Sequence, residues 1–328
     1  MPDAGLKTIG VLTSGGDAPG MNACIRAVTR TAVYNSLEVV GFRWGYKGIL
    51  EMDFRPLGSR SVSNILQRGG TILGSSRCKE FETKDGLYRA AENLREMNID
   101  ALLVIGGNGS MKGALELGEV WDGQIIGLPG TIDNDLGGTD WTIGFFTAID
   151  TALDSIDKIR DTAEAFQRVF LIEVMGRKAG DIALGVGIGG GAEEILIPET
   201  PLDLEARCRR LVEAKQRGKG SYIVVVAEGA CDGGAREVAS EIKRLTSYDS
   251  HICVLGHTQR GGSPVAHDRL FATRIGAHAV RAALEGKTCV MVGVQKGELC
   301  LTPLDQLEKR RRFFDYEQLL DVNIMLTI

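Results

Sequence analysis

The sequence predicts an α/β protein of two doubly wound domains, each a mostly parallel sheet flanked by helices. Three observations carry that expectation. Short apolar runs alternate with helical patterns along nearly the whole chain, as parallel sheets with right-handed crossovers require. Several of these runs end in glycine-rich turns, and ligands bind beyond the carboxyl ends of strands in such sheets. The chain has 328 residues, near the limit of what one hydrophobic core serves, so two domains are expected.

The elements follow in order. Thr8 to Leu12 is an apolar strand that runs into Thr13-Ser14-Gly15-Gly16-Asp17-Ala18-Pro19-Gly20-Met21-Asn22, then a helical pattern from Ala23 to Tyr34. A strand, a glycine-rich turn and a helix present backbone N–H groups to phosphate. The turn is neither a Walker A loop nor GxGxxG. Glu38 to Phe42 reads as a second strand, and Arg68-Gly69-Gly70-Thr71-Ile72-Leu73-Gly74-Ser75-Ser76-Arg77 as a turn-rich loop ending in a cation. A helix is expected from about Asp85 to Met97. The buried strand Ala101 to Ile105 then enters Gly106-Gly107-Asn108-Gly109-Ser110, with a helix from Met111.

Gln124 to Leu128 is the next strand, and beyond it lies Thr131-Ile132-Asp133-Asn134-Asp135. If this run stays extended, Asp133 and Asp135 face the same way, because side chains alternate with a period of two. Such a pair suits a proton acceptor beside a cation-binding group. Taken alone, the run equally suits an Asx-rich capping turn. Three strand ends of this kind in the first 140 residues are expected to converge on one phosphate-bearing ligand.

Thr147 to Arg160 is helical. Val169 to Met175 is a strand leading into Gly176-Arg177-Lys178-Ala179-Gly180. Glu194 to Ile197, Tyr222 to Ala227, His251 to Leu255 and Cys289 to Val294 read as strands; Leu204 to Gln216, Ala235 to Leu245 and Ala266 to Leu284 read as helices. Arg177, Glu228, His257 and Arg260 fall at strand ends. Cations there suit an anionic substrate and Glu228 suits sugar hydroxyls, although a structural histidine at 257 and a helix cap at 228 explain each residue singly.

Composition narrows the class. A net charge of −5 without a long basic block gives no bulk attraction to nucleic acid. The short run Lys309-Arg310-Arg311-Arg312 reads as a solvated helix end. Seven cysteines without CxxC spacing read as reduced thiols. Met1 to Lys7 lacks the apolar core of a signal peptide, and no apolar stretch is long enough to span a bilayer. The expectation is a soluble, cytoplasmic chain with no membrane partner.

The segments TSGGDAPGMN, RGGTILGSSR, IGGNGS, PGTIDND, IGFFTA, MGRKAG, AEG and LGHTQRGGSP, in this order over essentially the whole chain, resemble the bacterial ATP-dependent 6-phosphofructokinases. PGTIDND and GHTQRGGSP are the most specific of them. The resemblance implies transfer of the ATP γ-phosphoryl group to O1 of fructose 6-phosphate, with Mg2+. It implies a nucleotide-binding domain of residues 1–143 plus 258–308 and a sugar-phosphate-binding domain of residues 144–257 plus 309–328, with the active site in the cleft between them. It also implies a homotetramer whose active sites borrow residues from a neighbouring subunit.

Position by position, Asp133 matches the family's general base, with Thr131 and Asp135 its helpers at the metal and the transferred group. Arg77 matches the cation that bridges the phosphates as charge develops. Gly15, Gly16, Tyr46, Cys78, Asn108, Gly109, Ser110 and Gly113 match nucleotide positions, and Asn108 and Asp135 the metal positions. Met175, Gly176, Arg177, Glu228, His257 and Arg260 match the sugar side, with Arg168 and His251 at the positions supplied by the neighbouring subunit. Arg26, Arg30, Arg160, Glu193, Arg217 and Lys219 fall on or near the family's effector site for ADP or phosphoenolpyruvate, and surface charge explains them equally well.

Two positions depart from the family. Asn108 stands where its ATP users carry aspartate, and an amide keeps an oxygen ligand but loses a full charge. His251 stands where an arginine helps to bind the sugar phosphate, and histidine cannot form arginine's planar fork. Gly109 and Gly130 match ATP users, since pyrophosphate-dependent relatives typically carry aspartate and lysine there. The alternatives are a paralogue with another acceptor or donor and a non-catalytic regulatory subunit, and a retained Asp133 argues against the latter.

Overall fold

The computed structural model describes residues 5–307 and 315–327, so the basic run at 309–312 lies outside the described residues. In chain order the strands are β1 (Thr8–Ser14), β2 (Glu38–Phe42), β3 (Phe54–Pro56), β4 (Ala101–Gly106), β5 (Gln124–Pro129) and β6 (Val169–Val174). They continue as β7 (Glu194–Leu196), β8 (Tyr222–Ala227), β9 (Ser250–Val254), β10 (Val290–Gln295) and β11 (Glu298–Pro303). The helices are α1 (Met21–Tyr34), α2 (Tyr46–Leu50), α3 (Lys84–Glu96), α4 (Asn108–Gly118) and α5 (Phe145–Phe166), followed by α6 (Asp181–Gly189), α7 (Leu204–Gln216), α8 (Gly234–Thr246), α9 (Ala266–Leu284) and α10 (Tyr316–Leu326).

The chain divides into two units, Met1–Phe146 with Arg260–Arg311 and Thr147–Gln259 with Arg312–Ile328. The first holds a seven-stranded sheet in the order β11-β10-β5-β4-β1-β2-β3. Its inner five strands are parallel, and β3 and β11 close the edges as antiparallel partners of β2 and β10. The second holds a wholly parallel four-stranded sheet in the order β7-β8-β6-β9. Each has its own apolar core. The first gathers Leu12, Phe42, Leu102, Val104, Met111 and Ile125, and the second Val169, Leu171, Leu196, Leu211, Val224 and Val238. β4 and β8 are buried along their full length, which explains their unbroken apolar sequences.

Several elements differ from the sequence expectation for identifiable reasons. α4 begins at Asn108, not Met111, so the last residues of IGGNGS form its first turn. β11 joins β10 through Lys296 and Gly297, both with positive φ, a two-residue hairpin turn that matches strand twist. α6 is apolar around most of its circumference, so no helical period marks it. Ile149 and Ile195 occupy the space that side chains at Gly185 and Gly187 would take. α10 is inverted: Tyr316 and Asn323 are its buried residues, whereas Met325 and Leu326 are largely exposed.

A buried ionic cluster fastens the second unit. Glu194 on β7 receives both the Nε and Nη2 of Arg210 at 2.7 and 2.9 Å, and Nη1 of Arg207 at 2.6 Å. The hydroxyl of Tyr222 on β8 lies 3.4 Å away, and burial beside this carboxylate pushes that phenol's pKa up. Removing Glu194 takes the carboxylate from Arg207, whose side chain is only 16% exposed, and from the part-exposed Arg210. Glu194→Ala is therefore expected to destabilise the protein by about 3 kcal/mol, measurable as a loss in urea unfolding.

Candidate active site

Parallel register fixes where the ligand loops leave the first sheet. Ser14 pairs with Gly106, and Gly106 with Pro129, so β1, β4 and β5 end in line. Neighbouring strands lie about 4.8 Å apart, and the turns that follow emerge side by side. The chain passes from β1 to β2 on one flank, and β4 and β5 lie on the other. The gap between β1 and β4 is thus the switch point of the sheet, where open α/β sheets take their ligands.

α4 begins directly behind β4, with Gly107 as its cap and Asn108 and Gly109 exposed on its first turn. The first N–H groups of a helix have no partner within it, and they carry the positive end of its dipole. Ser110 is buried against Gly15 and Gly106, whose missing side chains leave room for its Oγ. Below this turn the Tyr46 hydroxyl donates to the Ser110 carbonyl at 2.6 Å. Its ring stacks on Phe81 at 3.9 Å, and both rings fit against the bare Cα of Gly113. Burial pushes the Tyr46 phenol well above its ordinary pKa, so it stays a donor. Cys78 is half-buried and packs on the same core.

The loop that carries Arg77 is pinned by the turn after β1. Asn22, in the first turn of α1, donates to the carbonyls of Arg68 and Gly69 at 3.1 Å and accepts the Ile72 N–H at 2.7 Å. Thr13 donates to the Gly74 carbonyl at 2.8 Å, and Ser75 to the Gly15 carbonyl at 2.6 Å. TSGGDAPGMN and RGGTILGSSR therefore form one clasp, with the Arg77 side chain exposed. Arg260 joins them: its guanidinium lies in the space a side chain at Gly16 would need, and its buried Nε has no hydrogen-bond partner.

After β5 the acid-rich run is a turn, not an extended segment. Asn134 has φ +51°, in the left-handed region, so alternation does not place Asp133 and Asp135 on one face. Asp133 is 1% exposed, whereas Asp135 is half-buried. The Asp133 N–H donates to Thr131 Oγ1 at 3.2 Å, and the Thr142 hydroxyl donates to the Thr131 carbonyl at 2.6 Å. The Asn134 side chain donates to the Asp140 carbonyl at 3.3 Å. Asn108 Nδ2 reaches the Asp135 carbonyl at 3.4 Å, tying α4 to the acid turn. That contact uses only the amide NH2 group, so the Asn108 side-chain oxygen keeps its capacity to accept, as does the half-buried Asp135 carboxylate. Magnesium is commonly held by one or two oxygen side chains plus substrate phosphates, and these two residues fit that pattern.

In the second unit the carboxyl edge of its own sheet is built by side chains that grip backbone. Glu228, just past β8, accepts the N–H groups of Gly176 and Arg177 at 3.2 and 2.7 Å. Gly176 and Arg177 have φ of +142° and +53°, and a side chain at Gly229 would strike the Arg177 carbonyl. Gln259, fully buried, accepts the Met175 N–H at 2.8 Å and donates to the Ala148 carbonyl at 3.3 Å. His257 is exposed in the short 3-10 turn around it. Arg168 is exposed over the Phe166 ring, and His251, exposed on edge strand β9, lies 5.2 Å from the ring of Phe170.

The effector candidates divide between the units. Arg26 and Arg30 lie on α1. Arg160 on α5 donates to the Gly191 carbonyl at 2.9 Å, and Arg217 is exposed at the end of α7. Lys219 pairs with Glu193 at 2.9 Å, and Glu193 also accepts the Ile223 N–H at 2.6 Å. Sequence reasoning gave no role to Asn22, Ser75 or Gln259, although all three stand inside the quoted motifs. Polar residues embedded in glycine-rich turns are the signal that finds such loop fasteners.

These features define a class: an α/β protein of two units whose glycine-rich and polar loops gather at the carboxyl edges of parallel sheets. The chain belongs to the phosphofructokinase family, which its residues 8–283 match. An ATP-dependent 6-phosphofructokinase of Thermus thermophilus is 53% identical over 307 residues, which cover 94% of this chain and 95% of that protein. Among solved structures, the phosphofructokinase of Saccharomyces cerevisiae superposes with a TM-score of 0.84 at 37% identity over 92% of this chain. The match covers 45% of the yeast chain, so this chain spans under half its length. A pyrophosphate-dependent phosphofructokinase from Marinobacter aquaeolei superposes with a TM-score of 0.83 at 26% identity, covering 97% of this chain and 92% of that one.

The Tyr46 hydroxyl is the buried fastener of the α4 turn. Tyr46→Phe leaves the Ser110 carbonyl without that donor, at a cost of about 1 kcal/mol in thermal or urea unfolding. The same variant is expected to weaken nucleotide binding in calorimetry by loosening residues 108–110.

Proposed function

We propose that this chain transfers the γ-phosphoryl group of ATP to O1 of fructose 6-phosphate, giving fructose 1,6-bisphosphate and ADP in glycolysis. The observation that carries the reading is Asp133: a carboxylate 1% exposed, in a turn fastened to the α4 N-terminus, one strand from the switch point of the sheet. Phosphoryl transfer asks little covalent chemistry of a protein; positioning and charge neutralisation supply most of the rate.

Asp133 accepts the proton of the sugar 1-hydroxyl as its oxygen attacks the γ-phosphorus. Thr131 and Asp135 hold the acceptor and the transferred group in place. Gly15, Gly16 and the first turn of α4, with Asn108, Gly109, Ser110 and Gly113, receive the nucleotide, with Tyr46 acting through Ser110 and Cys78 lining the loop. Arg77 is a guanidinium whose fork bridges the phosphate oxygens as charge shifts to the leaving ADP. Asn108 and Asp135 would hold Mg2+, which when bound neutralises phosphate charge. Met175, Gly176, Arg177, Glu228, His257 and Arg260 bind the sugar phosphate. In a homotetramer, Arg168 and His251 of one subunit serve the site of another. Arg26, Arg30, Arg160, Glu193, Arg217 and Lys219 take ADP or phosphoenolpyruvate, which must displace Lys219 from Glu193.

ATP is favoured over pyrophosphate by two glycines. A side chain at Gly109 would point into open space, which a nucleotide can use. One at Gly130 would press on Ile105 and Met21 at 3.0 Å, so no lysine fits there without repacking. Among the described residues no helix is long and apolar enough to cross a membrane.

The reading is tested with a panel of donors and acceptors on purified protein. Turnover with ATP, magnesium and fructose 6-phosphate is expected; none at millimolar substrate overturns the reading, and turnover with pyrophosphate alone changes the donor. Asp133→Ser is expected to lower kcat by ~10²–10⁴-fold with the Michaelis constants little changed, the loss typical of a missing general base. Asn108→Asp adds a carboxylate for a hard cation, and magnesium titrations at fixed ATP are expected to show half-maximal rate at a lower metal concentration.

A further inference from the structure

Residues 43–46 drew attention in the sequence only through Tyr46, yet Trp44 meets the Arg77 loop three times. Its N–H donates to the Leu73 carbonyl at 2.9 Å, and its carbonyl accepts the Ser76 hydroxyl at 2.8 Å. Its indole covers Gly74, where an added Cβ would lie 2.6 Å from Cε3 and 2.7 Å from Cζ3. Trp44 has φ +61°, a conformation in which a bulky residue is an outlier that its surroundings must hold. The following Gly45 lets the chain cross β1 with its Cα beside the Thr13 carbonyl. The indole stays 43% exposed, with the Arg43 guanidinium 5.7 Å from its ring.

We propose that Trp44 is a positioning residue that sets the backbone of residues 73–76 and thereby aims Arg77. The inference rests on the role given to Arg77 above. Residues 68–78 contain no helix or strand, and Arg77 is exposed, so a small tilt at Gly74 swings the guanidinium through a wide arc. Asn22 and Thr13 hold the loop from the α1 and β1 side. Trp44 holds it from the β2 side, and Gly74 is the one residue type that lets the ring approach. The strained Trp44 backbone and the bare Gly74 are two halves of one contact.

Trp44→Gly suits the positive φ and keeps both backbone hydrogen-bonding groups while deleting the ring. It is expected to lower kcat by about 10- to 100-fold, the scale of a misplaced catalytic group, with the fructose 6-phosphate KM and the ATP affinity by calorimetry within a few-fold. Trp44→Phe, which restores a ring over Gly74, is expected to recover most of that loss. A kcat for Trp44→Gly within twofold of the parent protein overturns the proposal. A fall that Trp44→Phe does not recover overturns it as well. If Trp44→Gly does not fold, the parent protein still decides. Of its three tryptophans, Trp121 is buried and Trp141 packs on Phe146 and His267, so an ATP-dependent emission shift that is lost in Trp44→Phe supports the proposal. No shift under conditions where calorimetry detects ATP overturns it. Calorimetry that detects no ATP instead defeats the nucleotide reading on which it rests.

Discussion

The functional edge of this protein depends on the parallel register of β1, β4 and β5. Parallel pairing with Ser14 against Gly106 and Gly106 against Pro129 leaves no freedom in where the next residues start. All six residues of β4 are buried, with Leu102 and Val104 in the core that holds Phe42 and Met111, so a slip of one residue would exchange side chains between two close-packed faces, and packing enforces the register. The glycine turn, the α4 N-terminus and the acid turn then meet because their strands do. The chemistry of the site begins as a consequence of core packing.

The two units fasten their loops differently. In the first, glycines let other side chains close on the backbone: Ser110 sits against Gly15 and Gly106, Arg260 against Gly16, and the Trp44 ring against Gly74. In the second, a half-buried carboxylate and a buried amide reach back to hold N–H groups, as Glu228 and Gln259 do for residues 175–177. The proposed function accounts for the difference. Phosphates are met by bare N–H groups, which require that nothing project in front of them. A sugar is met by oriented polar side chains, which need a rigid support of their own.

Much of this was legible in the sequence, and the failures have physical causes. Buried strands such as β4 and β8 announce themselves by unbroken apolar runs, and α7 and α9 by helical period. α6 is invisible to period because it has little polar face, and β11 because its hairpin turn is Lys-Gly rather than Asn-Gly. The motifs located every candidate loop, but not its internal geometry. Asp133 and Asp135 were paired by an alternation rule that holds only for extended chain, and the left-handed Asn134 breaks it. Trp44 was missed because its role depends on a glycine thirty residues away, a pairing that no local pattern encodes.

Asn108 shows how a departure from a family's pattern can be read through its neighbours. As a ligand for a hard cation an amide is the weaker choice, because it gives up a full negative charge. As a fastener it does something a carboxylate cannot: Nδ2 donates to the Asp135 carbonyl, whereas a carboxylate there would face that carbonyl oxygen with no proton to share. The contact is long at 3.4 Å, so its energetic weight is small, but its direction matters. It ties α4 to the acid turn and turns the amide oxygen away from the carbonyl. At the proposed metal site the amide thus gives up charge and gains order between two loops. In phosphoryl transfer, where position carries most of the rate, that exchange is compatible with an active enzyme.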